Sequence, residues 1–213
     1  MHQKIIMAIS RVGSLGLIIT LLLNIIVIYA NNFPENYDLS NTEPGISKKL
    51  MQRCPLGDGF DFPVGKPNAR RYYNAQKFTR NNHLGDDWNG LGGGNTDLHD
   101  PVYAVANGIV VQSKNFHGGW GRVVRILHNI GSQKKPKYVE SLYAHMRTAL
   151  VKPGRVVKRG QKIGTIGNAN GVYWAHLHLE LRVIINKALG NGYNSNTHGF
   201  TNPTTFIKQH RPR

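Results

Sequence analysis

The chain has 213 residues, with 27 Lys and Arg against 11 Asp and Glu and a formal net charge of +16. This length leaves room for one domain with a sizeable core and a further terminal segment. The one cysteine, Cys54, excludes an internal disulfide and is expected to be an ordinary unpaired thiol, so the core or a metal ion must hold the fold.

The first predicted element is an apolar N-terminal helix within residues 1–30. Lys4 and Arg11 precede the uncharged run "VGSLGLIITLLLNIIVIYA", residues 12–30. A basic start followed by an apolar run is typical of a secretory signal, and the length also suits a retained membrane anchor. Either alternative predicts that the chain after residue 30 is exported, to the periplasm, the cell wall or the medium.

Residues 31–53 are polar and predict a linker, and residues 54–213 predict one folded domain. Its apolar runs are short and separated by glycine turns, as in "PVYAVANGIVVQS" and "VKPGRVVKRGQKIGTIGNANG". No long helical period is present. The pattern predicts a mainly β domain of antiparallel strands.

A first candidate site lies in "NNHLGDDWNG". His83 and Asp87 are four residues apart with Gly85 between them, a spacing that places both on one side of a helix or a strand. Asp86 is the rival carboxylate, but a spacing of three does not suit an extended strand. Imidazole nitrogen and carboxylate oxygen are both ligands that zinc favours.

A second candidate lies in "SLYAHM", where Tyr143 and His145 alternate with apolar residues. A third lies in "WAHLHLELRV", where His176, His178 and Glu180 alternate with alanine and leucines. Strand geometry then points the two neighbouring histidines the same way. Such a pair either binds a metal together or divides metal binding and proton transfer between its members.

Together these pieces predict a catalytic zinc centre. Two His and one Asp would fill three positions on zinc and leave the fourth for water, with further histidines nearby to move protons. Glu180 either holds a histidine in the required tautomer or forms a surface salt bridge.

The other histidines are expected on the surface or in loops: His99, His117, His128, His198 and His210. His117 and Trp120 in "NFHGGWG" predict a packed turn, with a groove facing a sugar as the alternative.

The positive charge predicts an anionic partner. Nucleic acid would be the usual candidate, but an exported chain does not meet it, so no nucleic-acid partner is expected. Peptidoglycan and anionic envelope polymers fit an exported protein better. Contact with a membrane is expected only through residues 12–30, if they are retained.

The motifs "HLGDD", "PVYAVANGIVV", "YAHM", "VVKRGQKIGTIGNANG" and "HLHLEL" occur in this order between His83 and Arg182. In this combination the chain resembles the lysostaphin-like (LytM-type) zinc endopeptidases of bacterial cell walls. The resemblance implies a compact antiparallel β domain that hydrolyses peptide bonds in peptidoglycan stems or cross-bridges with one zinc ion. It also implies an alternative, a non-catalytic wall-binding or hydrolase-activator module on the same fold.

The resemblance also implies roles for five residues. His83, Asp87 and His178 correspond to the zinc ligands, and His145 and His176 to the catalytic pair. One departure is the stretch "WNGLGGGNTDLHD" between Asp87 and Pro101, which is longer than the family pattern leads one to expect. It is expected to shape or cover the substrate groove.

Overall fold

A computed structural model of the chain describes residues 46–212. These residues form a mainly β, antiparallel domain, which confirms the predicted fold class. The predicted N-terminal helix and most of the predicted linker lie outside the described residues. Within 46–212 no helix is both long enough and apolar enough to cross a bilayer.

Two short α-helices flank the strands, and single helical turns occur at 80–82 and 169–171. The helices are α1 (Lys48–Gln52) and α2 (Pro203–Gln209). The strands are β1 (Tyr72–Gln76), β2 (Asp86–Gly90), β3 (Pro101–Tyr103), β4 (Gly108–Asn115), β5 (Arg122–Asn129), β6 (Tyr138–Met146), β7 (Thr148–Ala149), β8 (Val156–Val157), β9 (Lys162–Thr165), β10 (Leu177–Arg182) and β11 (Phe200–Thr201).

The described strands form two sheets. The larger sheet has the order β1-β2-β10-β6-β5-β4-β8, with β11 added to β10, and the smaller has the order β3-β9-β7. β10 is central, since β2 and β6 pair with it on opposite sides. Its three leucines, Leu177, Leu179 and Leu181, are completely buried, as the alternation of the sequence predicts.

The polar face of β10 is buried as well, which the sequence did not indicate. Glu180 and Arg182 have no exposed surface, and His178 is 3% exposed. The segment after β10 covers this face, because the carbonyl of Lys187 accepts a hydrogen bond from Arg182 Nη1 at 2.9 Å. Both faces of β10, the strand that carries His178, are therefore buried.

The two helices are short and begin at capping residues, which a search for the apolar periodicity of a long helix does not detect. In α1, the Ser47 side chain caps the N-terminus by accepting from Leu50 N at 3.2 Å. In α2, Asn202 is the cap and Pro203 occupies the first turn. Helix α1 falls within the stretch predicted as linker, so part of that stretch is ordered next to the domain.

Two expectations for buried polar residues were wrong. Tyr143, considered for the site, has its hydroxyl in the core, where it accepts from Val105 N at 2.9 Å and lies 3.1 Å from Ser141 Oγ. His128, expected near the surface, is completely buried, with Nε2 2.7 Å from Ser141 Oγ and Nδ1 2.9 Å from Asn107 O. Burial lowers the pKa of His128 to about 4, so this histidine is neutral.

Cys54 is a buried free thiol, as expected. Its Sγ donates to the Leu127 carbonyl at 3.2 Å. Burial raises the pKa of the Cys54 thiol to about 12, so the thiol is protonated and unreactive at neutral pH.

Candidate active site

Backbone pairing brings the three predicted metal ligands together. Asp87 in β2 is the direct antiparallel partner of His178 in β10, so their side chains emerge side by side on one face. His83 ends a tight turn just before β2. The turn is fixed by Leu84 N, which donates to Gly192 O at 3.0 Å.

The ligand atoms of these three side chains converge. His83 Nε2 lies 2.9 Å from His178 Nδ1 and 3.3 Å from Asp87 Oδ1, and His178 Nδ1 lies 3.0 Å from Asp87 Oδ1. Ligands placed tetrahedrally at about 2.0–2.1 Å from zinc stand roughly 3.4 Å from one another. The observed separations are slightly shorter, and all three residues are buried. The donor set and the spacing therefore fit one zinc ion.

Gly85 makes this convergence sterically feasible. A Cβ at this position would lie 2.4 Å from the carbonyl oxygen of Leu179 and 2.9 Å from Cε1 of His178. Real Cβ atoms do not approach other atoms so closely. The glycine between His83 and Asp87 thus lets the chain pass directly over β10.

The two neighbouring carboxylates of β2, Asp86 and Asp87, have different partners. Asp86 points away from the candidate ligands, and its Oδ2 accepts from Thr204 N at 2.9 Å and from Thr204 Oγ1 at 2.6 Å. Asp86 Oδ1 accepts from Phe78 N at 3.0 Å. Asp86 therefore joins α2 to the sheet, whereas Asp87 faces His83 and His178, as the strand spacing predicted.

A buried carboxylate supports the second nitrogen of His178. Glu180 Oε1 lies 3.2 Å from His178 Nε2, and Arg182 Nε donates to Glu180 Oε2 at 2.7 Å. Burial alone would lower the pKa of His178, but Asp87 and Glu180 raise it to about 9. The alternative of a surface salt bridge is wrong, because Glu180 and its partner Arg182 are completely buried. The contact of Glu180 with His178 Nε2 is the one that holding a tautomer requires.

A second buried ion pair, Arg125–Glu140, adjoins this one, because Arg182 Nη1 lies 3.9 Å from Glu140 Oε1. Arg125 Nε donates to Glu140 Oε1 at 2.7 Å, and Arg125 Nη2 donates to the Lys187 carbonyl at 3.1 Å. That carbonyl also accepts from Arg182. The segment after β10 is therefore anchored by the charged groups that support His178.

His145 reaches the site through a β-bulge. Between the pairs Val124↔Tyr143 and Arg122↔Met146, β6 contains one residue more than β5. His145 has φ of +60°, a left-handed conformation that is uncommon for residues other than glycine. Regular alternation would place its side chain with Tyr143 in the core. The bulge turns it to the opposite face, beside His176, with 4.7 Å between the ring centroids.

The tautomer of His176 follows from a backbone contact. His176 Nδ1 lies 2.8 Å from the carbonyl oxygen of Trp174, which accepts only, so Nδ1 carries the hydrogen. The neutral ring then presents a lone pair at Nε2, which lies 3.8 Å from Asp87 Oδ1. His176 has a free acceptor on the side that faces the candidate metal ligands.

The pKa values of His145 and Asp87 are both lowered, which leaves His145 neutral and Asp87 charged. Burial lowers the pKa of His145 well below its ordinary value, and the nearby His176 and His178 lower it further. Burial would raise the pKa of Asp87, but hydrogen bonds with His178 and His83 lower it well below its ordinary range. A neutral imidazole therefore stands beside an ionised carboxylate at neutral pH.

A cavity of about 570 Å³ opens over these five residues. Its wall includes Trp120, whose Nε1 donates to Gly190 O at 2.9 Å, whereas His117, named with it in the groove alternative, is exposed and does not line the cavity. That the groove faces a sugar stays a prediction. Tyr173, Asn191 and Tyr193 also line the cavity, although nothing in the sequence indicated them. These side chains stand on irregular loops, and an aromatic in a loop had no distinguishing feature in the sequence.

Comparison of the chain with known proteins identifies its family. The model of Peptidase family M23 matches residues 88–196, just over half of the chain, including His145, His176 and His178. The matched segment begins directly after Asp87, so His83 and Asp87 are attributed to the site by the geometry above.

Two curated relatives and one solved structure are similar to the chain. Peptidoglycan DD-endopeptidase ShyA of Vibrio cholerae is 41% identical over 39% of this chain and 17% of its own length. Murein hydrolase activator NlpD of Salmonella dublin is 29% identical over 68% of this chain and 41% of its own length. The chain thus spans less than half of either relative.

The solved structure is that of the SpoIIQ–SpoIIIAH pore forming complex. It is 19% identical, with a TM-score of 0.52, over 72% of this chain and 92% of the solved chain, and it shows the shared fold. Because the family model matches just over half of the chain, the chain belongs to Peptidase family M23.

Proposed function

We propose that the chain is an exported zinc metalloendopeptidase that hydrolyses peptide bonds in peptidoglycan stems or cross-bridges. The observation that carries the proposal is the convergence of His83, Asp87 and His178 within 2.9–3.3 Å beneath His145 and His176. A set of three protein ligands that leaves one position open is the pattern of a catalytic zinc.

The metal and its ligands would supply the electrophile. His83, Asp87 and His178 would hold one zinc ion, which polarises a carbonyl and acidifies a bound water. Glu180 supports this set as a positioning residue, because its contact with His178 Nε2 directs Nδ1 of the ring toward Asp87.

The two remaining histidines would divide the proton chemistry. His176, whose Nδ1 hydrogen is committed to Trp174 O, accepts the proton of the attacking water at Nε2 and later delivers it to the leaving amine. His145 is kept neutral by burial and donates an N–H to the oxygen on which negative charge develops.

The proposed substrate and location draw on two supports. ShyA and NlpD carry peptidoglycan and murein in their names, and the N-terminal apolar run is typical of an export signal. Peptidoglycan is the cell-wall polymer to which both names refer.

The test is mass spectrometry of the products that the protein releases from purified peptidoglycan. We expect new amine and carboxyl ends that disappear with a zinc chelator and return when zinc is added. The masses of the products then identify the peptide bond. His178→Ala should abolish release, and His198→Ala, which changes an exposed histidine outside the groove, should not.

A protein that contains bound zinc but releases nothing from walls of several compositions would contradict the proposal. The similarity to NlpD then favours the second candidate, a non-catalytic activator of another hydrolase. Under that alternative, the protein and its His178→Ala variant would stimulate a separate murein hydrolase equally.

A further inference from the structure

A second cavity continues from the candidate active site. It has a volume of about 630 Å³ and shares Gln76, Asp87, Tyr173 and His176 with the first. We call it the amide arm, because its other lining includes the side chains of Asn89, Asn95 and Asn168. A ligand bound at the metal ligands can therefore extend into the amide arm without a break.

One rim of the amide arm carries three consecutive exposed apolar side chains. Val172 is 54% exposed, Tyr173 43% and Trp174 69%. A contiguous apolar patch that borders a polar cavity is typical of a recognition surface. Trp174 is the most exposed of the three and presents a large flat surface.

The loop that carries these side chains is held in place at both ends. Tyr173 N donates to Asn168 O at 3.1 Å, and Ala175 N donates to Asn95 Oδ1 at 2.9 Å. Asn89 Nδ2 donates to Ala175 O at 3.4 Å. The aromatic rim is thus positioned before any ligand arrives, which reduces the entropic cost of binding.

The charge of the amide arm differs from that of the chain. None of the described residues that line it is Lys or Arg, although the chain has 27 of them. The amide nitrogens of Asn95 and Asn168 have no hydrogen-bond partner among residues 46–212. Apart from Asp87 and His176, where it joins the candidate active site, the arm offers neutral donors and acceptors, and it therefore suits a ligand that is polar but uncharged.

We propose that the amide arm binds the glycan strand of the substrate, with an N-acetylated sugar ring stacked on Trp174. This inference rests on peptidoglycan being the substrate. A pyranose has an apolar C–H face for the indole ring and a rim of hydroxyl and acetamido groups for the asparagine amides. Peptide stems carry free carboxylates, for which the arm supplies no cation, whereas the sugar rings are uncharged.

The test is titration of the full chain with an uncharged oligomer of N-acetylglucosamine, followed by calorimetry. We expect saturable binding that Trp174→Ala weakens by about tenfold, the size of one lost aromatic contact. Trp174→Phe keeps a flat ring and should stay within about threefold of the parent. Leu91→Ala is the matched control, because Leu91 is also 69% exposed but lines neither cavity.

Absence of saturable binding by the parent, or equal binding by Trp174→Ala, would overturn the inference. So would competition by a sugar-free stem peptide at the same site. The titration needs no hydrolysis, so the two proposals fail separately. Trp174-dependent sugar binding without peptidoglycan cleavage would contradict the proposed function alone, and cleavage without sugar binding would contradict the glycan site alone.

Discussion

Gly85 shows how one residue without a side chain can determine a metal site. It lies between two candidate ligands and passes over β10 with no room for a Cβ. The sequence displays it as one of 24 glycines, and nothing in the spacing distinguishes it from a turn residue. Gly85 is required because the neighbouring strand, β10, leaves no room for a side chain at this position.

Gly85→Ala should therefore damage the site. The added methyl group must displace the Leu179 carbonyl or the His178 ring, which we expect to cost about 1–3 kcal/mol of unfolding free energy. The displacement of His178 should also weaken zinc binding measurably. Urea unfolding and zinc titration measure the two effects.

Gly57→Ala serves as the matched control, because the nearest atom to its added Cβ is a carbonyl oxygen at 3.3 Å. It should change zinc affinity little. Equal zinc affinity for Gly85→Ala and the parent would contradict the steric account of the site.

Glu180 is the residue whose loss should separate support of the ligand from general stability. Glu180→Gln keeps the shape but removes the charge between His178 and Arg182, and we expect zinc affinity to fall about 10–100-fold. Within the described part of the chain, Arg182 would then have only the carboxylate of Glu140, which lies 3.9 Å from its Nη1 and already pairs with Arg125. The unfolding free energy should therefore fall by about 3–5 kcal/mol. Competition titration with a zinc chelator measures the affinity in the folded protein.

Asp58→Asn provides the comparison, since Asp58 pairs with Arg159 at the surface with its side chain 51% exposed. An exposed pair of this kind contributes about 0–1 kcal/mol. An unchanged zinc affinity in Glu180→Gln would show that Glu180 is only a structural ion-pair partner.

His145 illustrates what residue patterns reveal and what they leave hidden. Strict alternation indicated that His145 and Tyr143 share a face, but the bulge at His145 places them on opposite faces. The family motif identified the histidine, whereas the reason from periodicity was wrong. A left-handed backbone at a histidine has no counterpart in an apolar-polar pattern.

At the scale of elements, the pairing of β5 with β6 buries a polar chain on the core side of the sheet. His128 Nε2, Ser141 Oγ and the Tyr143 hydroxyl follow one another, and the chain ends at Val105 N. Each polar group has a partner only while His128 is neutral and accepts at Nε2. This arrangement links the protonation of one histidine to folding.

Acid should therefore destabilise the protein through His128. Its pKa is about 4 when folded, against an ordinary value of about 6.5 when unfolded, so the unfolded chain binds the extra proton between these values. The contribution of His128 is complete above pH ~6.5 and is lost as the pH falls toward ~4, about 3 kcal/mol in total. Urea unfolding as a function of pH measures it.

The comparison is His128→Gln, which cannot titrate at this position. It should be less stable than the parent at neutral pH, yet lose less stability between neutral and mildly acidic pH. Parallel pH profiles for the two proteins would contradict the assignment.

The sequence predicted the burial of one face of β10 but not of the other, and the difference has a physical cause. The leucines of β10 alternate strictly, and their burial was confirmed. The burial of the opposite face depends on a covering segment held by Arg125 and Arg182 through the Lys187 carbonyl. The contact with Arg125 joins residues 62 positions apart, so no local pattern in the sequence indicates it.

At the scale of the whole molecule, the positive charge and the groove are separate features. None of the described residues that line either cavity of the groove is Lys or Arg. Several exposed basic residues instead lie around the edge strand β8, including Lys152, Arg155 and Lys158. The predicted anionic envelope partner would thus meet a surface different from the one that meets the substrate.

Neutralising this surface should weaken attachment to the wall. We expect Lys152→Gln, Arg155→Gln and Lys158→Gln together to reduce binding to walls that carry anionic polymer, and to flatten its dependence on salt. Sedimentation with wall fragments over a series of salt concentrations measures this. Walls stripped of anionic polymer are the control, and an equal effect on both would contradict the prediction.

The two cavities that meet at Tyr173 and His176 have a consequence for the topology of the substrate. A cross-linked polymer offers no free chain end that could enter a closed pocket. An enzyme that cuts such a polymer must therefore bind a strand along its length. The two cavities join into one groove that passes Tyr173 and His176, and such a groove admits a tethered strand at its middle. Under the proposed function, this shape would let the protein cut peptide bonds inside an intact wall, one at a time, without a free chain end.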